Sequence, residues 1–182
     1  MTGKELMQRV RFALKDNNRA LYSDWQLLVA LNEALDVLYQ ELASFSNTAI
    51  IKSENVHLFN GRGVLPEDFL TVHEVYCGAE PLHPVTKSEL AKGNGYFIDG
   101  DEIYAAKHLL TVDYKPCSPE ITMDDVEDDL ELPPYLNNIV KSLAIKAVKG
   151  ENMEGMGKQI KNTVAGRTFN RLEMHGVWSE RV

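Results

Sequence analysis

The helical part of the fold is decided by the stretch YSDWQLLVALNEALDVLYQELASFS, Tyr22–Ser46. Ser23 followed by Gln26 is a capping-box pattern, which predicts that a helix begins at this serine. Apolar side chains then recur at spacings of three and four, so they share one face of the helix. A face this wide must be covered by another helix or by a neighbouring subunit. It comprises Leu28, Leu31, Leu35, Leu38, Leu42 and Phe45, widened by Leu27, Ala30, Ala34 and Tyr39.

A shorter helix is predicted before this stretch. Thr2 and Glu5 repeat the capping-box pattern, and four apolar residues at helical spacing continue the helix to about Lys15. The connection from there to Ser23 is short, which predicts that the two helices pack as a hairpin. The four apolar residues are Leu6, Val10, Ala13 and Leu14.

The period of the pattern changes after Ser46. Residues 50–59 alternate in polarity as a half-buried strand does, and Asn60-Gly61 marks a turn. Residues 47–119 are predicted to form a small antiparallel sheet built of local hairpins, with a proline-containing strand that is either at an edge or irregular. The further strands are Val72–Cys77, Pro81–Val85 and Leu109–Tyr114, and the clearest hairpin is Tyr96–Tyr104, which turns at Asp99-Gly100-Asp101.

Residues 132–172 return to a helical pattern. Pro133-Pro134 suits the start of a helix that Gly150 ends, and a glycine-rich helix follows to Leu172. The predicted fold class is α+β, with an N-terminal helical hairpin and C-terminal helices packed as a bundle around a central small antiparallel β-hairpin sheet. The bundle comprises residues 1–46 and 132–172, the β insertion 47–119, an acidic loop 120–131 and a C-terminal tail or arm 173–182.

Charge is unevenly distributed along the 182 residues, whose net charge is −8. Acidic residues dominate 47–140, which argues against ordinary sequence-specific nucleic-acid binding because that needs a basic footprint. Basic residues dominate 141–182, which suggests a segment that docks on an acidic partner, with plain scatter of surface charge as the alternative. The N-terminus has no signal-peptide pattern, and no apolar run is long enough to span a membrane. Cys77 and Cys117 are interpreted as structural or incidental thiols.

No motif gives a positive reason to predict an enzyme. Asn60–Gly63 lacks the Gly-Lys-Ser/Thr ending of a phosphate loop, and Asp99, Asp101 and Glu102 lack the further ligands of a calcium loop. The histidines show no HxH or HxxxH spacing, so a metal site would need residues from distant strands. We therefore predict no catalytic residue, no metal site and no cofactor. The five histidines are His57, His73, His83, His108 and His175.

Several segments, taken in order, resemble the head-to-tail adaptor (connector) proteins of tailed bacteriophages. The resemblance extends from about Leu6 to Leu172 and rests on the joint order and spacing of these segments. The last helix carries more glycine than such proteins usually show, and the tail beyond Arg171 has no matching pattern. The segments are ALYSDWQLL at Ala20–Leu28 leading into LNEA at Leu31–Ala34, VLPEDFL at Val64–Leu70, EPLHPV at Glu80–Val85, GYFIDGDEIY at Gly95–Tyr104 and LELPPY at Leu130–Tyr135.

The resemblance implies a structural protein of the virion neck, made in the host cytoplasm, with no enzymatic activity. Such adaptors form a ring, usually dodecameric, that docks under the portal, extends the DNA channel and offers a surface to the tail or nozzle protein. Packaged DNA then passes through without sequence-specific binding, and no membrane is involved. Two residue sets follow: a portal-docking arm of Arg167, Phe169, Arg171, Leu172, Val177 and Trp178, and an inter-subunit or helical core of Trp25, Leu28, Leu31, Leu35, Leu38 and Leu42.

Three alternatives remain from the sequence. One is another neck protein, such as a head-closure or tail-completion protein. A second is a small hydrolase or lyase that uses His73, His83 or Asp99 in a deep pocket of the β region. The third is a nucleic-acid-binding regulator, for which salt-sensitive duplex binding would be expected. Its basic residues would be Lys158, Lys161, Arg167 and Arg171 on one helical face.

Overall fold

The chain divides into a helical unit and a β unit. The structure, a computed structural model, describes residues 1–45, 49–90, 93, 95–153 and 155–165. Unit 1 comprises Met1–Ala49 and Ser118–Val182, and unit 2 comprises Ile50–Cys117. The described regular structure of unit 1 is helical apart from an isolated bridge, whereas unit 2 carries small antiparallel sheets. The predicted α+β class is therefore confirmed.

Both predicted capping boxes are present at the first two helices. Helix α1 is Gly3–Leu14, and Thr2 Oγ1 accepts a hydrogen bond from the Glu5 N–H at 3.1 Å. Helix α2 is Asp24–Ser44. The Ser23 Oγ accepts from the Gln26 N–H at 3.1 Å, and the Gln26 Oε1 accepts from the Ser23 N–H at 2.9 Å. These bonds satisfy backbone N–H groups that have no partner inside the helix, so they set where each helix starts.

Helix α3 covers the apolar face of α2. A 3-10 turn, Pro134–Leu136, leads into α3, Asn137–Val148, which packs against α2, and α1 contacts both. The described part of a fourth helix, α4, covers residues 156–165. The leucine face of α2 is thus covered within its own chain. The core of unit 1 includes Leu6, Val10, Leu31, Leu35, Leu38, Leu42, Leu136, Val140, Leu143, Ile160 and Val164.

The acidic segment that precedes α3, residues 120–131, is anchored on α1 and α2. Residues 120–131 contain no helix or strand. The Asn32 side chain bonds both backbone groups of Ile121: its Nδ2 donates to the carbonyl at 2.9 Å, and its Oδ1 accepts from the N–H at 3.0 Å. The Lys4 N–H donates to the Val126 carbonyl at 2.8 Å. Buried Ile121 and Val126 add apolar contacts, so this loop has a defined course despite its charge.

Unit 2 contains two antiparallel sheets. The first has the strand order β1-β7-β3-β4, and the second has the order β2-β6-β5. One buried core, which includes Val56, Leu65, Val75, Ile103 and Leu110, draws residues from both sheets. The strands are β1 Lys52–His57, β2 Arg62–Val64, β3 Phe69–Cys77, β4 Glu80–Leu82, β5 Tyr96–Asp99, β6 Glu102–Ala105 and β7 Leu109–Pro116.

The prediction of one sheet built of local hairpins is wrong. The β5–β6 hairpin is confirmed, and so is the position of the proline strand β4 at a sheet edge. However, β7 pairs along its length with β1 and β3, which lie far from it in the sequence. Alternation and turn residues indicate strands and their nearest neighbours, whereas distant partners depend on which apolar faces meet in the core.

A polar cluster lies at the end of β7. The Tyr114 side chain is fully buried, and its hydroxyl donates to Asp68 Oδ1 at 2.7 Å, with Glu54 Oε1 at 3.2 Å. Lys52 Nζ bonds the other Asp68 oxygen at 2.8 Å. Burial and the adjacent carboxylates raise the pKa of Tyr114, which therefore stays protonated. Burial by itself would raise the pKa of Asp68, but the bonds from Lys52 and Tyr114 outweigh it and lower that pKa.

The Asn32→Ala variant should lose about 2 kcal/mol of unfolding free energy, because two hydrogen bonds to Ile121 are removed at about 1 kcal/mol each. Chemical denaturation measures this loss. The matched control is Gln40→Ala, an exposed amide on the same helix. If Asn32→Ala stays within about 0.5 kcal/mol of wild type, the acidic segment is not held by this side chain.

Candidate functional site

The predicted core and arm residues fall into three groups. Leu28, Leu31, Leu35, Leu38 and Leu42 are at most 2% exposed, so they pack inside unit 1. Trp25, by contrast, is 65% exposed on α2. The six predicted arm residues lie outside the described residues: Arg167, Phe169, Arg171, Leu172, Val177 and Trp178.

A buried arginine joins the end of α1 to the beginning of α2. Arg11 is 6% exposed, and its Nη1 donates to Asp16 Oδ2 at 2.6 Å and to the Tyr22 carbonyl at 2.8 Å. Its Nη2 donates to Asp24 Oδ1 at 2.7 Å. Three acceptors around one guanidinium offset the cost of burying it. The connection between the helices is therefore held in one course.

Asp16 is the acceptor at the centre of this connection. Its carboxylate accepts backbone hydrogen bonds from Leu21 at 2.9 Å and Tyr22 at 3.2 Å. The Leu21 bond, with those of Tyr22 and Ala20 and the charge of Arg11, lowers the pKa of Asp16 against the opposing effect of burial. Sequence reasoning missed this cluster. The signal that the sequence offered was Arg11 itself. It follows Met7 by four residues, so it is a charged residue on the apolar face of α1 and indicates a buried partner.

An open groove of mixed polarity runs along α2 beside the end of α3. Trp25, Val29 and Glu33 follow each other at four-residue steps on one helix face. Val29 is 40% exposed, and the groove has a volume of about 330 Å³. Glu33 is the only charged residue among its lining residues. We call this surface the Trp25 groove, and it is lined by Tyr22, Trp25, Gln26, Val29, Ala30, Glu33, Ala147 and Val148.

A second groove lies between α1 and α3. Phe12 is 75% exposed in it, and the volume is about 450 Å³. Arg9 and Lys141 contribute two positive charges, and Glu5, whose carboxylate also accepts the capping hydrogen bond from the Thr2 N–H, contributes one negative charge. We call this surface the Phe12 groove, and it is lined by Glu5, Gln8, Arg9, Phe12, Ala13 and Lys141.

Besides Glu5, whose carboxylate accepts the helix-capping hydrogen bond, three charged residues of these grooves have no ion-pair partner within the described part of the chain. They are Glu33 in the Trp25 groove and Arg9 and Lys141 in the Phe12 groove. By comparison, Arg11 in the same unit has two carboxylate partners. The groove charges are therefore available to an external partner.

The β unit also exposes several large apolar side chains. Phe59 is 82% exposed, Val64 66% and Leu109 42%. Phe59 bridges to Arg62 across Asn60-Gly61, whose φ angles are +52° and +79°. This geometry is a tight hairpin turn, as predicted, rather than a phosphate loop.

The structure places the described residues of the enzyme alternative on strands and a loop of the β unit, and those of the regulator alternative on one helix. His73 lies on β3 and Asp99 ends β5, in different sheets, and His83 follows β4. Lys158 and Lys161 are exposed on α4. Among the described residues, no cluster of three or more His, Cys, Asp or Glu side chains could hold a metal ion. In the same part of the chain, no helix is both long and apolar enough to cross a membrane.

A comparison with protein families gives a match over most of the chain. A family model described as SU10 adaptor protein matches residues 1–171. This match confirms the resemblance inferred from the sequence. No curated protein matches the chain significantly.

The Asp16→Asn variant should be less stable than wild type at pH 7, because the ionised carboxylate partners Arg11 and two backbone N–H groups. The pKa of Asp16 is lowered in the folded protein, so this stabilisation is complete above the unfolded-state pKa, about 3.9. It is lost as the pH falls further, through the lowered folded-state pKa. The difference in unfolding free energy between variant and wild type should therefore shrink only below about pH 4.

Denaturation curves from pH 7 to pH 3 measure this difference. Asp128→Asn, an exposed carboxylate in the acidic segment, is the matched control and should follow wild type closely. A constant gap between Asp16→Asn and wild type across the whole range would contradict the role of ionised Asp16.

Proposed function

Because the chain belongs to the SU10 adaptor protein family, whose members are phage head-to-tail adaptors, we propose that it forms a ring that docks under the portal and connects the head to the tail. The family match over residues 1–171 is the observation that carries this proposal. The family is a structural class of the phage neck rather than an enzyme class. In our proposal the ring is dodecameric and extends the DNA channel.

We infer that the helical unit is the rigid body of each ring subunit. In this reading α1 and α2 form a hairpin that packs with α3 and α4 as one bundle. The Arg11 cluster supports the hairpin, because it ties the last turn of α1 to Asp16 and Asp24. The contacts of α3 with both preceding helices support the bundle.

The charge distribution supports a channel and a docking arm. Acidic residues dominate 47–140, and like charge lets DNA pass without adhering to the wall. Basic residues dominate 141–182, and our proposal assigns Arg167, Phe169, Arg171, Leu172, Val177 and Trp178 to the contact with the portal. The exposed apolar side chains of Phe59, Val64 and Leu109 are those we assign to the contact with the tail or nozzle protein.

The test is the binding of the full chain to the portal rings of the phage that encodes it. Sedimentation of a mixture should give a complex with a fixed number of subunits per portal ring. Changing Arg167 and Arg171 to Glu should weaken this binding about 10-fold or more, because charge pairs in a desolvated contact are lost.

The matched control changes Lys158 and Lys161, which are exposed on α4 and outside the assigned contact, to Glu, and so makes the same total charge change. It should leave the affinity within about two-fold of wild type, a change below about 0.5 kcal/mol. A chain that fails to bind its portal rings under any salt condition would contradict the proposed function.

A further inference from the structure

The two grooves of the helical unit have matching chemistry. Each holds one exposed aromatic ring, Trp25 in one and Phe12 in the other. Exposed aromatics of this size anchor protein interfaces because they bury much area with little loss of conformational entropy. Both rings stand beside apolar groups, Val29 and Val148 in the first groove and Ala13 in the second.

Their charges are complementary. The only charged side chain that lines the Trp25 groove is Glu33, whereas Arg9 and Lys141 leave the Phe12 groove net positive beside Glu5. Within the described residues, none of Glu33, Arg9 and Lys141 has an ion pair of its own. Opposite charges at the rim of an apolar contact orient the partners and disfavour contact between like surfaces.

We propose that the Trp25 groove of one copy of this chain receives the Phe12 groove of the next copy. In this contact Glu33 faces Arg9 and Lys141 across the rim, and the two aromatic rings are buried at the centre. The inference deepens the proposed function, on which it rests, by assigning the surfaces that join neighbouring subunits.

The positions of the grooves make the contact head-to-tail. One groove lies between α2 and the end of α3, and the other lies between α1 and the earlier part of α3. Ala147 and Val148 stand six and seven residues after Lys141, about 10 Å along the helix. Each copy can therefore engage two neighbours at once, and a repeated contact of two different surfaces gives a closed ring or an open helix. A contact between identical grooves would stop at a dimer and would bring like charges together.

Complementation between two variants tests the pairing. Full chains are studied by sedimentation from about 10 μM to 1 mM, a range that detects contacts of micromolar to millimolar dissociation constant. Wild type should associate beyond a dimer, and Trp25→Ala and Phe12→Ala should each weaken association at least about 10-fold. An equimolar mixture of the two variants should recover association but stop at a dimer, since only one intact pair of grooves remains.

Controls separate this pairing from other occupants of the grooves. Phe59→Ala removes a ring of similar exposure from the β unit and should leave self-association unchanged. Circular dichroism checks that each variant is folded. Glu33→Arg should weaken association, and adding Arg9→Glu in the same chain should restore at least part of it.

Four results would overturn the inference. The first is a wild type that stays monomeric over the whole concentration range, and the second is a Trp25→Ala or Phe12→Ala variant that associates like wild type. The third is an equimolar mixture of these two variants that does not recover association, and the fourth is association that Glu33→Arg leaves unchanged. If the two aromatic variants self-associate normally but lose portal binding, the grooves serve the portal instead. Normal self-association without portal binding would contradict the proposed function while leaving this inference intact.

Discussion

The burial of Arg11 is the constraint on which the helical unit depends. A guanidinium this deeply buried is tolerated only when it is charge-paired and hydrogen-bonded, and here Asp16, Asp24 and the Tyr22 carbonyl supply three acceptors. These acceptors come from the connection and from the first turn of α2, so satisfying one side chain orients two helices. Phe12, the next residue, is by contrast largely exposed to solvent. Adjacent residues thus hold the unit together and form its outer surface.

Helix α2 has two apolar faces with different consequences. Its leucine face is buried against its own chain, so the width of this face does not require a neighbouring subunit. The narrower face with Trp25 and Val29 remains open, although both residues belong to the same helix. Apolar area that is left exposed after folding is the area that can drive assembly. The surface that we propose for assembly is therefore the part of α2 that α3 leaves uncovered.

In the β unit, β7 has the corresponding organising role. It pairs with β1 on one side and β3 on the other, and its Tyr114 is fully buried at a polar cluster with Asp68 and Glu54. A phenol that is buried and bonded to a carboxylate fixes the register more specifically than an apolar ring, because its hydroxyl would lose its partner in a slipped pairing. The first sheet is arranged around this strand.

The sequence by itself determined the starts of α1 and α2, the Asn60-Gly61 turn and the β5–β6 hairpin, because caps, turns and periodicity act over a few residues. It also determined the family, because the order of the segments can be compared directly with that of known families. Only the tertiary structure decided the two-sheet arrangement, the partners of β7, the inward course of Arg11 and the exposure of Trp25 and Phe12. Strand partners and side-chain burial depend on surfaces that meet from distant parts of the chain. The spacing of Leu28 and Trp25 on α2 does not indicate which of them α3 covers, since coverage is a property of packing.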